Sequence, residues 1–395
     1  MLAYRADTAF DGERPLPGGV LVFVDGGRIV GVEPGGAPAP DGCDVTHLPG
    51  TTLLPGLIDA HVHLCGDAGP GALDRIPDMT PIELDAVVEN ALHAHLAAGV
   101  TAVRDLGDHR YTVVDRHHAP AGGPTVVAAG PPVTSVGGHC WSMGGEVATA
   151  ADIRAAVRER AERGADVVKV MVSGGVMTTT TDVLACQFTL ADVRLLVAEA
   201  HRHGLPVTAH AHPVAAVELA LDAGVDGIEH ATCLTGDGMY TPPELAERLA
   251  AAGTFVCPTF GFDAQRTGGE LPPQLRTALA RGNMRLEDRP GQIATLIRAG
   301  VTLVAGVDCG INPAKPHGLL PLSLAGLVGC GMPPVAALAS ATSVAARACR
   351  LEQRTGRLRP GLDADLLIVD GDPMTDITSL GRTRMVISRG RVAYR

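Results

Sequence analysis

The chain has 395 residues, 46% of them apolar and 3% aromatic, with a formal net charge of −11 at pH 7. That length accommodates one barrel of roughly 250 residues plus a smaller domain. The acidic balance argues against nucleic acid or an anionic membrane as the main partner, and the scarcity of aromatics against an aromatic-lined groove.

The opening Met-Leu-Ala-Tyr-Arg-Ala-Asp lacks a signal-peptide apolar core, and no stretch approaches ~20 apolar residues. The 9 cysteines are odd in number and contain no CxxC pair, as expected of reduced thiols. A cytoplasmic protein is the expectation.

Residues 16–48 alternate short apolar runs, Val20-Leu-Val-Phe-Val24 and Arg28-Ile-Val-Gly-Val32, with Gly, Asp and Pro, which predicts small antiparallel strands. The far end has the same texture in Ala364-Asp-Leu-Leu-Ile-Val-Asp370, Arg384-Met-Val-Ile-Ser388 and Arg391-Val-Ala-Tyr394. The two ends are therefore expected to pair into one small β-sandwich domain, residues 1–52 with 350–395.

Between them, six segments end a helix-like stretch on glycine and run into a short apolar strand. They are Ala98-Gly99 to Asp105, Arg163-Gly164 to Lys169, His203-Gly204 to His210, Ala223-Gly224 to His230, Ala252-Gly253 to Cys257 and Ala299-Gly300 to Asp308. Glycine at a helix C-terminus adopts the left-handed backbone at little steric cost. Leu53 to His63 supplies a first strand and Pro124 to Gly130 a third, which brings the predicted count to eight. Helices are predicted at Pro81–Ala98, Ala151–Arg163 and Thr189–His203, the last with a capping-box-like start at Thr189 and Asp192. The fold class is α/β: a (β/α)8 TIM-like barrel over residues 53–349, inserted in the small domain formed by both termini. In such a barrel, residues at the C-terminal ends of different strands meet at one mouth.

Those ends carry the chemistry. In Asp59-Ala-His61-Val-His63 the two histidines lie two apart on a strand and point to one side, so both imidazoles can grip one ion. His210 and His230 occupy equivalent ends of strands five and six, and Asp308 closes strand eight. Lys169 lies inside Val167-Val-Lys-Val-Met-Val172, where a cation is costly to bury; it must be paired, neutralised or modified. Capture of CO2 would give a carbamate whose two oxygens can bridge two metals. Four candidate ligands on neighbouring strands favour that outcome over pairing with a nearby acid.

Pro55-Gly-Leu-Ile-Asp-Ala-His-Val-His63, Val168-Lys-Val-Met-Val-Ser-Gly-Gly-Val-Met177, Thr208-Ala-His-Ala-His212, Gly227-Ile-Glu-His230, Gly306-Val-Asp308 and Gly361 to Asp370 together resemble the amidohydrolase superfamily. They are most similar to the branch of Xaa-Pro and Xaa-Arg/Lys dipeptidases, ochratoxin-type amidases and imidazolonepropionase relatives. The resemblance implies two divalent metal ions, with zinc the expected metal. His61, His63 and Asp308 would hold one, His210 and His230 the other, and N6-carboxylated Lys169 would bridge them. It further implies attack by a metal-bridging hydroxide, with Asp308 moving the proton to the leaving nitrogen. Lys169 argues against the mononuclear imidazolonepropionases, which lack the bridge.

His139, after strand three, is the expected substrate contact and catalytic partner. His212 stands where related dipeptidases carry a tyrosine that touches the substrate carboxylate, and is a candidate contact. The expected reaction is hydrolysis of an amide in a dipeptide, N-acyl amino acid or peptide-like small molecule. The alternatives are a cyclic amide or amidine, including rings in modified peptide natural products, and a non-catalytic binding protein on the same fold. A homo-oligomer is the default expectation.

The remaining residues read blandly. His93, His95, His201 and His203 are expected at the surface of helices. His117-His118 is expected in a loop without a third metal, and Thr178–Thr181 as a flexible loop beside the site. No base arrangement makes Cys65, Cys140 or Cys309 a nucleophile. Strands two and seven end in Arg104-Asp105 and Cys257-Pro258, to which no metal role is assigned.

Overall fold

The computed structural model describes residues 1–118, 122–267, 276–277, 279–280 and 285–395. The chain opens with β1 (Leu2–Phe10), β2 (Pro15–Leu16), β3 (Val20–Asp25), β4 (Arg28–Pro34) and β5 (Asp44–Pro55). A regular alternation follows: β6 (Leu57–Val62), α1 (Pro81–Ala97), β7 (Val100–Asp105), α2 (Thr112–Arg116) and β8 (Thr125–Ala128). After the short pair β9 (Thr134–Ser135) and β10 (Glu146–Val147) come α3 (Ala150–Arg163), β11 (Val168–Met171), α4 (Leu190–Arg202) and β12 (Val207–Pro213). Then follow α5 (Val214–Ala223), β13 (Gly227–Thr235), β14 (Gly238–Met239), α6 (Pro243–Ala252) and β15 (Phe255–Cys257). Helices Arg289–Arg298, Leu320–Gly329, Pro334–Ser340 and Ser343–Ala348 lead to β16 (Leu366–Asp370), β17 (Thr383–Ser388) and β18 (Arg391–Tyr394).

Strands from both ends share one sheet, in the order β18-β17-β16-β5-β1-β3-β4 with β2 on β1. Its apolar face packs Tyr4, Val22, Ile29, Leu53, Leu366, Ile368 and Ile387 into a separate small core. β5 crosses the expected boundary at residue 52. Its last five residues are buried, and it passes through Gly56 into β6. A Cβ at Gly56 would strike the Thr101 side chain, so this junction needs glycine for close approach.

In the middle, β6, β7 and β8 pair in parallel, as do β11, β12, β13 and β15. The two groups are joined by a Val133–Val170 bridge on one side. On the other, Val256 pairs with Leu303 and Cys309 with Val62, so the succession of pairs returns to β6. The segment predicted as strand eight carries isolated bridges instead of a ladder, because its polar groups are shared out. Ala305 N–H donates to Ser340 O at 3.0 Å, Val307 N–H to Asp59 Oδ1 at 3.1 Å and Asp308 N–H to His61 O at 2.7 Å.

The helices start where sequence chemistry dictates. Capping boxes pair Thr80 with Glu83, Thr149 with Asp152 and Thr189 with Asp192, each satisfying otherwise orphaned N–H groups and contributing about 1 kcal/mol. One expectation is corrected here. His95 is fully buried, because Leu84, Val88, Ala91, Leu92 and His95 recur at helical spacing on the inward face of α1. Its Nε2 lies 3.1 Å from Nδ1 of His317. His117 ends α2 with Nε2 2.8 Å from Asp85 Oδ1, and His118 pairs with Asp166. All nine cysteines are free thiols. Among the described residues, no helix is long and apolar enough to cross a membrane.

Candidate metal centre

The strand ends converge. His61 and His63 from the end of β6, Lys169 from β11, His210 and His212 from β12, His230 from β13 and Asp308 all line one cavity of about 470 Å³, together with His139. The rings of His61 and His63 lie 5.4 Å apart, those of His61 and His230 5.3 Å, and those of His210 and His230 4.6 Å. Ligand-type atoms of His61, His230 and Asp308 fall within 4.8 Å of one another, as do those of His210, His212 and His230. His212 therefore stands as close to the second pair as a third imidazole ligand would.

Each ring is held by one nitrogen. His61 Nδ1 lies 2.7 Å from Glu229 Oε2, while its Nε2 faces Asp308 Oδ1 at 3.4 Å. His63 Nδ1 lies 3.2 Å from Gly107 O, and its Nε2 is 3.2 Å from the same Asp308 oxygen. His230 Nδ1 is 2.8 Å from Thr259 Oγ1, and His212 Nδ1 is 2.9 Å from Thr232 Oγ1. His210 instead holds Gly174 O with Nε2, at 3.1 Å, which leaves Nδ1 to the cavity.

The electrostatics suit metal ligation. Burial pushes His61 down to about 4 and His212 to about 3, and it takes His210 and His230 well below the usual range. Neutral imidazoles with free lone pairs are the form that binds a cation. His63 goes the other way: burial opposes its protonation, but the adjacent Asp308 outweighs burial and raises it. Burial alone would raise Asp308 too, yet His61, His63 and Lys315 hold its carboxyl well below the usual range.

Lys169 is the decisive fit. Its Nζ is buried without any hydrogen-bond partner among the described residues, and burial lowers its proton affinity. An unprotonated amine is the species that adds CO2, and the resulting anion would offset the charge of nearby cations. The donor set of imidazoles, one carboxylate and this amine suits a pair of borderline divalent ions.

Strain marks the same place. His230 and Asp308 adopt φ of +67° and +68°, left-handed conformations that cost a non-glycine residue roughly 1–2 kcal/mol. Helix Arg289–Arg298 stabilises one of them: Arg289 Nη2 lies 2.6 Å from both His230 O and Pro258 O, and Gln292 Nε2 donates to Ala231 O at 2.9 Å.

Around His139 the structure adds what sequence reasoning left open. Thr178, expected in a flexible loop, is bound: its Oγ1 accepts from Cys140 N–H at 3.0 Å and lies 2.9 Å from His139 Nδ1. Burial drives His139 down to about 3. Cys140 Sγ sits 3.5 Å from His139 Nε2, but burial pushes that thiol up to about 12, so it stays protonated. Burial also holds Cys65 and Cys309 well above the ordinary thiol value.

Sequence reasoning passed over Glu229 and Arg104 as functional residues. Both are charged residues inside apolar strands, the signal that singled out Lys169. Glu229 is fully buried, with Arg104 Nη2 at 2.9 Å and the Thr208 hydroxyl donating to it at 2.5 Å.

Comparison with known proteins gives the family. The model of the amidohydrolase family matches residues 52–393. An ochratoxinase from Aspergillus niger is 28% identical, over 82% of this chain and 71% of its own length. A solved Xaa-Pro dipeptidase with bound methionine in its active site superposes with a TM-score of 0.84 at 27% identity, covering 99% of each chain. A prolidase complexed with N-methylphosphonate-L-proline gives 0.86 at 26% identity, covering 100% of this chain and 99% of its own.

Proposed function

The chain belongs to the amidohydrolase family, and from that premise we propose that it hydrolyses the amide bond of a dipeptide, N-acyl amino acid or peptide-like small molecule. The observation that carries this reading is the orphaned Lys169 amine amid His61, His63, His210, His230 and Asp308 in one cavity. The solved relatives support the substrate class, since one holds an amino acid and another a proline phosphonate. The ring of strand pairs reads as a closed (β/α)8 barrel inserted in a small domain formed by both ends of the chain, with β5 carrying that domain's sheet to Pro55, past the expected boundary at residue 52.

In this reading His61, His63 and Asp308 would hold one divalent ion and His210 and His230 a second, with carboxylated Lys169 between them and zinc as the metal. Bound there, the ions supply Lewis-acid polarisation of the scissile carbonyl and acidification of water. The chain's own groups do the rest. Asp308, ionised because its histidine neighbours hold its proton affinity down, takes a proton from the attacking water and passes it to the leaving nitrogen. His139, neutral and held at Nδ1 by Thr178, lines the cavity beside the candidate ligands and would contact the substrate from there. His212 flanks the same space from β12. The partner is thus a small molecule or short peptide, with neither nucleic acid nor membrane involved, in a cytoplasmic and homo-oligomeric enzyme.

The test is a screen of dipeptides, N-acyl amino acids and cyclic amides against zinc-loaded enzyme. Turnover of linear amides is the expected result. Turnover confined to cyclic amides or amidines would favour the ring-opening alternative, and no turnover by enzyme holding its metals would point to a binding protein.

A further inference from the structure

Arg104 and Asp105, consecutive at the end of β7, reach opposite sides of the strand, as neighbours on a strand must. Each leads to a different histidine of the His61–His63 pair. Arg104 Nε donates to Ala60 O at 2.8 Å, immediately before His61, and its Nη2 donates to Glu229 Oε1 at 2.9 Å. The other oxygen of that carboxylate, Oε2, lies 2.7 Å from His61 Nδ1. Asp105 works through the backbone on the other side. Its Oδ2 accepts from Leu64 N–H at 2.7 Å, immediately after His63, and its Oδ1 accepts from Gly107 N–H at 3.3 Å. The carbonyl of that same Gly107 lies 3.2 Å from His63 Nδ1.

Both chains end on an Nδ1 and leave both Nε2 atoms aimed at one Asp308 oxygen, at 3.4 and 3.2 Å. Arg104, Asp105, Glu229, His61 and His63 are all buried, so water does not compete for these bonds. The group on the remote nitrogen of a ligating histidine sets its tautomer and its ring orientation. We propose that Arg104 and Asp105 are a pair of positioning residues, one orienting His61 through Glu229 and the other orienting His63 through Leu64 and Gly107, which together preform a single metal site. This rests on the reading of His61, His63 and Asp308 as ligands of one ion.

Asp105→Asn keeps the shape but can accept with only one of the two oxygens Asp105 uses. Arg104→Lys keeps the charge but cannot span Ala60 O and Glu229 together. Zinc-loaded wild type and both variants are dialysed against graded chelator, and zinc per chain is measured. Cobalt-substituted samples give the visible absorption spectrum, and circular dichroism reports folding. The expected result is loss of one ion from each variant at about 10- to 100-fold lower chelator than wild type. The other ion should be retained, the cobalt spectrum altered and the fold unchanged. A role in folding alone would lower melting temperature without singling out one ion. If Asp105→Asn does not fold, Arg104→Lys carries the same test. Wild-type chelator midpoints and cobalt spectra in the folded variants would overturn the proposal and leave the two-metal reading standing. A wild-type chain that binds no ion would overturn both.

Discussion

A buried amine with no acceptor is a poor place for a proton, and among the described residues that is the condition of Lys169. Lys169→Ala should abolish turnover while short carboxylic acids added to the assay restore part of it, because a free carboxylate can occupy the place of the proposed carbamate. Full activity in the variant would remove the bridge from the account. The same logic, a charge inside an apolar strand, made Lys169 legible in the sequence. It applied equally to Glu229 and Arg104, whose partners lie 125 residues apart in the chain and could be paired only in the fold. The left-handed backbone of His230 and Asp308 had no sequence signal, since neither residue is glycine. His95 was misplaced because its polarity was weighed and its helical spacing was not.

At the scale of elements, the site depends on loops held against strand ends. The loop after β11 passes so close to His139 that a Cβ at Gly175 would collide with the imidazole ring. Gly175→Ala should therefore shift His139 and lower kcat by up to about 100-fold, as a misplacement near 1 Å can. Because the adjoining Gly174 carbonyl holds His210 Nε2 at 3.1 Å, metal content is measured alongside, and a wild-type value assigns the loss to His139. Unchanged kcat would show that His139 is not the substrate-facing group. The helices around this loop were legible because their signals are local: threonine caps at their starts and glycines at their ends. The eighth strand was legible in position but not in form. Its N–H groups go to Ser340 and to the Asp59 carboxylate, and neither partner can be read from the segment itself.

At the scale of the whole molecule, strands from both ends close into one sheet, and parallel strands between them deliver their ends to one cavity. That convergence was legible because the helix–Gly–strand repeat locates each strand end, and chemistry gathers at such ends in parallel β/α folds. What the cavity accepts was not legible, since the groups that line it beside the candidate ligands depend on partners distant in the chain, as His139 does on Thr178. Every catalytic role proposed above requires the converged residues to hold a pair of ions. Elemental analysis of the purified, zinc-supplied enzyme should give close to two divalent ions per chain, whereas a chain that retains none would contradict the account at its centre.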